Sequence, residues 1–244
     1  MDGPVSCTGM PSWSIPTRES NAWEEEAVVS DFIVYSVPGS TYGRAVLAAI
    51  LEKDATYRLV LLAPRDLRSE LHVSRHPFGR VPVVEHQGFM LYETQAILRY
   101  VDRVGPGKPL TPRDVRAAAL MDQIMNINDW YLFQGVIGTI GFQRIIAPRL
   151  LGQPTDESVV TAALPKAHKV FDVLSRLLGD QPYFVGEALT LADLIVAPQM
   201  DLLSGTPEWG PLTEGKANLV AWLDRMNSRA SFRETTWERL AEAV

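Results

Sequence analysis

The sequence predicts a small α/β domain followed by a larger all-helical domain, and three observations carry that prediction. Short apolar, β-branched runs stand at 31–36, 56–63, 81–86 and 89–92, with helical periodicity between and after them. The segment VGPGKPLTPRD, 104–114, packs glycine and proline together as a linker does. Beyond it every periodic stretch has the spacing of a helix and none that of a strand.

In chain order, residues 1–30 are rich in Ser, Pro, Thr and Glu without periodicity and read as a loose tail that holds Cys7 and Trp13. DFIVYS reads as a buried strand, and VPGSTYG as a turn. RAVLAAILEK is helical, with Val46, Ala49, Ile50 and Lys53 on one face. TYRLVLLA is a second strand, and PRDLRSELHVSRHP a short helix or irregular segment that must end before Pro77. VPVVEH and FMLY form a hairpin across Gln87-Gly88, and ETQAILRYVDRV is an amphipathic helix. RAAALMDQIMNINDWYLF, SVVTAALPKAHKVFDVLSRLLG, TLADLIVAPQMDLL and NLVAWLDRMNS supply the helical domain. The expected divisions are a tail at 1–30, an α/β domain at 31–103, a linker at 104–113 and an all-helical domain at 114–244.

Composition excludes several function classes. The 244 residues are 46% hydrophobic and 21% charged, as in ordinary globular proteins. A net charge of −6 argues against a general nucleic-acid surface. No apolar run has the length of a membrane span, and the N-terminus lacks the basic start and apolar core of a secretory signal. Cys7 is the single cysteine, so intrachain disulfides and cysteine metal clusters are excluded, and a reducing cytoplasm is the expected compartment.

Three short motifs carry chemistry. Val81-Pro82 opens a strand and is a candidate cis peptide; a bend there leaves the Val81 backbone free to pair with a bound peptide as another strand would. Glu93-Thr94 begins a helix, where orphan N–H groups and the dipole attract an anion. Thr94 can donate to a carboxylate and Glu93 can accept from an ammonium, which fits an α-amino-acid head group. The plainer alternative is Thr94 as N-cap with Glu93 solvated. Ser40 stands at another strand-to-helix turn, as a site hydroxyl or as an N-cap. GSTYG is not a nucleophile elbow, since its serine is second, so a serine hydrolase is disfavoured. His72 and His76 are spaced i, i+4, but Pro77 ends the helix and no third ligand is evident apart from nearby Glu70, so no metal is expected. His86 is placed at the hairpin turn and His168 on a helix surface or in packing, and Arg144 and Arg149 are read as solvated cations in preference to groups that assist an anionic substrate.

Taken together, four separated segments resemble the glutathione transferase family, over residues 31–240. VPGSTYGRAVLAAILEK resembles the serine-type first helix of the plant phi and related bacterial classes. SRHPFGRVPVVEHQGFMLYETQAILRYV resembles the stretch those classes use for glutathione. PYFVGEALTLADLIVAPQ resembles the family's helical-domain signature, with a capping box at Thr190 and Asp193, and NLVAWLDRMNSRASF resembles its late helix. The resemblance implies a thioredoxin-like N-terminal domain of βαβ–ββα order with a mixed four-stranded sheet, and an all-α C-terminal helical bundle.

It also implies roles. Ser40 would activate the glutathione thiol as thiolate. Val81, beside cis-Pro82, would pair with the cysteinyl backbone, and Glu93 and Thr94 would hold the γ-glutamyl group. Arg68 would reach the glycyl carboxylate, standing where the phi pattern has a lysine; Leu67 replaces the histidine usual before it, and Arg80 replaces a glutamine and would donate to the same peptide. Tyr42 competes with Ser40 for the sulfur, whereas Tyr35 reads as core. The electrophile site would lie between the domains, with Val37, Gly39, Tyr42, Trp130, Tyr131, Phe133 and Phe142 as candidates. Phe78 would key into a partner protomer of a homodimer. Glutathione is the implied co-substrate, with a small hydrophobic electrophile, and no metal, nucleic acid or membrane. Glutathione-dependent peroxidase or isomerase chemistry, and a non-catalytic glutathione- or ligand-binding module, stay open; a glutaredoxin-like activity is disfavoured because the turn offers Ser40 and no cysteine.

Overall fold

The structure, a computed structural model, describes residues 32–242; the tail reading, with Cys7 and Trp13, lies outside the described residues. Two parallel strands, β1 (Phe32–Ser36) and β2 (Tyr57–Leu61), flank helix α1 (Thr41–Glu52) in the sequence. A 3₁₀ turn (Pro64–Arg68) and α2 (Glu70–Arg75) lead to the antiparallel hairpin of β3 (Val83–His86) and β4 (Phe89–Tyr92), and α3 (Thr94–Val104) follows. The sheet order is β2-β1-β3-β4, mixed and four-stranded, as expected of a thioredoxin-like domain. The hairpin turns through Gln87 (φ 52) and Gly88 (φ 78), the double positive φ that a two-residue turn needs. His86 is the last residue of β3 rather than a turn residue: it is buried, stacks on Phe32 at 4.3 Å, and its Nδ1 lies 2.8 Å from the Tyr100 hydroxyl. Tyr35 is buried as expected, with its hydroxyl donating to Glu85.

After the linker the chain is helical. Helix α4 (Val115–Ile127), capped by the Asp114 carboxylate, runs into a π-helical stretch (Asn128–Ile146) and then α5 (Ala147–Leu151). Helices α6 (Glu157–Leu178), α7 (Leu191–Ser204), α8 (Trp209–Thr213), α9 (Ala217–Asn227), α10 (Ala230–Glu234) and α11 (Trp237–Glu242) complete it. Residues 134–146 carry glycines at 135, 138 and 141, and the i→i+5 register runs through them.

Helix α1 explains how the two parts meet. Its residues Ala45 to Ile50 are all fully buried, because it packs on α3 on one side and on α7 of the helical part on the other. Small alanines at 45, 48 and 49 permit that double contact. One apolar core therefore runs through both parts, from Val34 and Val84 to Phe171 and Trp222, and the N-terminus of α1 opens between them.

The end of α1 ties down the linker. Buried Lys53 reaches Asp102 at 3.2 Å and donates to the carbonyls of Gly107 (2.7 Å) and Lys108 (2.9 Å). Asp102 accepts from the Leu110 amide and from both the amide and hydroxyl of Thr111. Burial raises the Asp102 pKa, but the Thr111, Leu110 and Lys53 donors outweigh it and hold the group below the usual carboxylate range. A depressed folded pKa contributes stability above the unfolded value, about 3.9, that is lost as pH falls through the folded value. The thermal midpoint is thus expected to fall below about pH 4, and Asp102→Asn is expected to lower the neutral-pH midpoint while flattening that acid limb. Calorimetry of both proteins from neutral to acid pH checks this, and an unchanged acid limb in the variant would contradict it.

Candidate active site

Ser40 ends the turn after β1 and is the N-cap of α1 (φ −67, ψ 111). Its Oγ accepts the Gly43 amide at 3.0 Å, so the oxygen is fixed while the hydroxyl proton has no acceptor among the described residues. An N-cap serine placed this way can donate outward, along the axis where the helix dipole favours an anion. Gly39 precedes it with φ +74, and a Cβ there would lie 2.6 Å from the ring of Trp237. The position needs glycine twice over, for its backbone and for the indole laid across it.

Tyr42 is differently engaged. Its hydroxyl donates to Asp129 at 2.7 Å, and Asp129 also accepts from Gln95 (2.6 Å) and Asn128 (3.0 Å). Burial, then the Asp129 charge, pushes the Tyr42 pKa far above its ordinary value. Its proton is committed, and its ring packs on Phe133 at 4.5 Å.

A second set of groups gathers at the open end of β3. The Val81-Pro82 peptide is cis. Val83 pairs with Tyr35 on one side and Tyr92 on the other, so the same registers carried two residues further set Val81 level with Val37 and with Thr94. Val81 makes no backbone hydrogen bond among the described residues. The preceding carbonyl, of Arg80, is held by His72 Nε2 at 2.8 Å; a carbonyl only accepts, so the ring donates this bond from Nε2. Gly79 (φ +61) lies where a Cβ would stand 2.8 Å from the Leu67 carbonyl, which brings the Arg68 end of the 3₁₀ turn against the segment that leads to Arg80.

Glu93, not Thr94, is the N-cap of α3, and it is held at φ 71, ψ 113. That left-handed backbone is costly for a glutamate, and strain of this kind clusters at functional sites. Thr94, the first helical residue, is buried and its hydroxyl has no partner among the described residues. Arg80 and Glu93 both act electrostatically on buried His76, whose pKa is lowered chiefly by burial while Glu93 opposes. Arg68, Arg80 and Glu93 are exposed and form no ion pair among the described residues. A strand-edge backbone and a helix-start hydroxyl without partners among the described residues, an exposed carboxylate and two guanidiniums without ion pairs among them are the complement of a small peptide with an amino-acid head and a second carboxylate.

Beside Ser40, between the two parts, a cavity of about 320 Å³ is lined by Gly39, Ser40, Arg44, Pro198, Leu202 and Trp237, among others. It falls at the low end of small-molecule pockets.

Two family models match the chain: the glutathione S-transferase N-terminal domain over residues 30–103 and the glutathione S-transferase C-terminal domain over 133–230. The chain belongs to the glutathione S-transferase family. Glutathione S-transferase F7 of Arabidopsis thaliana is 30% identical over 208 residues, 82% of this chain and 97% of that protein. A glutathione S-transferase of Hyoscyamus muticus is 33% identical over 181 residues, 72% and 84% of the two chains. Among solved structures of the family, glutathione transferase F7 of Populus trichocarpa superposes with a TM-score of 0.76 at 26% identity, covering 84% of this chain and 97% of that one. Glutathione S-transferase I from mais, in complex with an atrazine glutathione conjugate, gives 0.75 at 26% identity, covering 88% and 100%.

Within this transferase frame the expected glutathione residues Ser40, Val81, Pro82, Glu93 and Thr94 come together at the ends of β1, β3 and β4. The expected electrophile residues scatter. Gly39 lines the cavity, and half-buried Val37 adjoins its turn. Tyr42 and Phe133 pack on each other and on the core, half-buried Phe142 is not among the cavity-lining residues, and Trp130 and Tyr131 stand outside at 65% and 61% exposure. Phe78 projects into solvent at 72% exposure, next to His76. The residues missed were Trp237, which covers the turn from a six-residue helix too short to show periodicity, and His72, whose spacing to His76 suggested only a metal. Among the described residues no group of metal-ligating side chains is assembled, and no helix is long and apolar enough to cross a membrane.

Proposed function

We propose that this enzyme is a serine-type glutathione transferase of the phi kind, in which Ser40 donates to the glutathione sulfur and stabilises the thiolate. The observation that carries this is the state of Ser40: its oxygen is pinned by Gly43, its proton has no acceptor among the described residues, and it lines the interdomain cavity. A free thiol has a pKa of about 8.5, and lowering it by two units takes roughly 2.7 kcal/mol. A charge-assisted hydrogen bond with the α1 terminus supplies that magnitude. The thiolate attacks an electrophilic carbon held in the cavity; the protein orients and polarises and forms no covalent bond.

Val81 pairs with the cysteinyl backbone beside Pro82, Glu93 and Thr94 take the γ-glutamyl ammonium and carboxylate, and Arg68 and Arg80 serve the glycyl end. Residues 31–103 are the glutathione-binding domain, 104–113 the linker and 114–244 the helical domain. The enzyme works as a homodimer with Phe78 at the contact, in the cytoplasm, in detoxification.

Titration with glutathione by calorimetry, with conjugation of 1-chloro-2,4-dinitrobenzene followed in parallel, tests the reading. Binding with turnover is the expected result; absence of glutathione binding would contradict it. Tyr42→Phe serves as the contrast. Because its proton belongs to Asp129, turnover is expected to stay within about threefold of wild type while stability drops by about 1 kcal/mol. A loss of turnover beyond tenfold in Tyr42→Phe, on the order of 1.4 kcal/mol, would transfer the activating role from Ser40 to Tyr42.

A further inference from the structure

Three guanidiniums line the cavity beside Ser40, and two are already paired with carboxylates. Arg44 pairs with Asp201 and donates to the Phe232 carbonyl at 3.2 Å. Arg144 is shared between Glu157 and Glu208, reaching the latter at 2.6 and 2.9 Å. Arg149 is the exception: it makes no hydrogen bond or ion pair among the described residues and lies 5.6 Å from the centroid of the Trp237 ring. Trp237 itself meets Gly39, the residue before Ser40. A single indole thus lies against the turn that carries Ser40 and beside Arg149, with Ile145, Leu202 and Leu240 on the remaining wall. Of the acidic groups there, Asp201 is held by Arg44 and Asn227, and exposed Glu238 makes no ion pair with Arg149 among the described residues.

We propose that this cavity takes a flat electrophile carrying a carboxylate remote from its reactive carbon, with the ring against Trp237 and the anion on Arg149. The proposal rests on the transferase reading above. Arginine suits this task because its planar fork meets a carboxylate with two parallel bonds, and the indole face holds it in orientation. In the reaction the glutathione thiolate forms a C–S bond to the ring carbon bearing the halide. The carbon–halogen bond breaks, the halide leaves with the bonding pair, and the thiol proton has passed to solvent.

The test uses 4-chloro-3,5-dinitrobenzoate and its near-isosteric neutral carboxamide, each rate normalised to its uncatalysed reaction with glutathione. Wild type is expected to favour the carboxylate in kcat/KM by about fivefold, the scale of a partly exposed ion pair, and the preference should shrink in high salt. Arg149→Gln is expected to abolish the preference, Arg149→Lys to keep part of it, and Arg149→Glu to reverse it. Equal preferences in wild type and Arg149→Gln, with both probes turned over, would overturn this inference and leave the transferase reading standing. No turnover of either probe by wild type would overturn both.

Discussion

Ser40→Ala is expected to bind glutathione with little change and to lose about 10- to 100-fold in kcat/KM at pH 7, the worth of a hydrogen bond to a charged group. The loss should shrink as pH rises above the free thiol value of about 8.5, because solvent base then supplies the thiolate that Ser40 otherwise stabilises. The α1 terminus remains in the variant, so part of the activation survives. Alanine also removes the cap bond to Gly43, which costs about 0.5–2 kcal/mol of stability. Ser40→Gly separates the two effects: glycine caps nearly as well as serine but brings no hydroxyl. Equal turnover losses in both variants place the effect in the hydroxyl, whereas recovery in Ser40→Gly would trace it to the cap.

Asp193→Ala is expected to destabilise the protein by about 3–5 kcal/mol, the cost of breaking a buried polar network at its centre. Asp193 is fully buried at the start of α7 and accepts four bonds. These come from the Phe184 amide (2.9 Å), the Trp222 indole (3.0 Å), and the amide and hydroxyl of Thr190 (2.9 and 2.8 Å). Burial raises its pKa and the four donors oppose that. Its loss strands four donors in the apolar core around Phe184 and Trp222, each left without water. For a chain of this size the midpoint should drop by roughly 6–20 °C. Asparagine should not rescue it, since the amide NH₂ would turn a donor toward donors. A thermal midpoint within about 2 °C of wild type, less than 1 kcal/mol, would refute this assignment.

The features that sequence showed best were those with local chemistry. Gln87-Gly88 announces a two-residue hairpin, Thr190 and Asp193 announce a helix start, and Val81-Pro82 and Glu93-Thr94 mark the proposed site as short motifs at a strand start and a helix start. What the sequence hid depends on distant chain segments. Trp130 and Tyr131 are adjacent aromatics in a glycine-bearing stretch, and nothing local tells that both face outward once the π register sets in. Trp237 covers Gly39 from nearly 200 residues away, and Arg149 differs from Arg144 only because Glu157 and Glu208 reach the latter. The Tyr42–Asp129 bond, which separates Tyr42 from Ser40 as a donor, likewise joins two elements that no short motif links.

The central claim is that Ser40 lowers the pKa of the bound thiol, and titrating that thiol by the ultraviolet absorbance of its thiolate tests it most directly. With saturating glutathione the wild-type complex is expected to titrate about two units below the free thiol, near pH 6.5, and the Ser40→Ala complex about one and a half units or more above wild type. Coincident titration curves for the two proteins would contradict the claim.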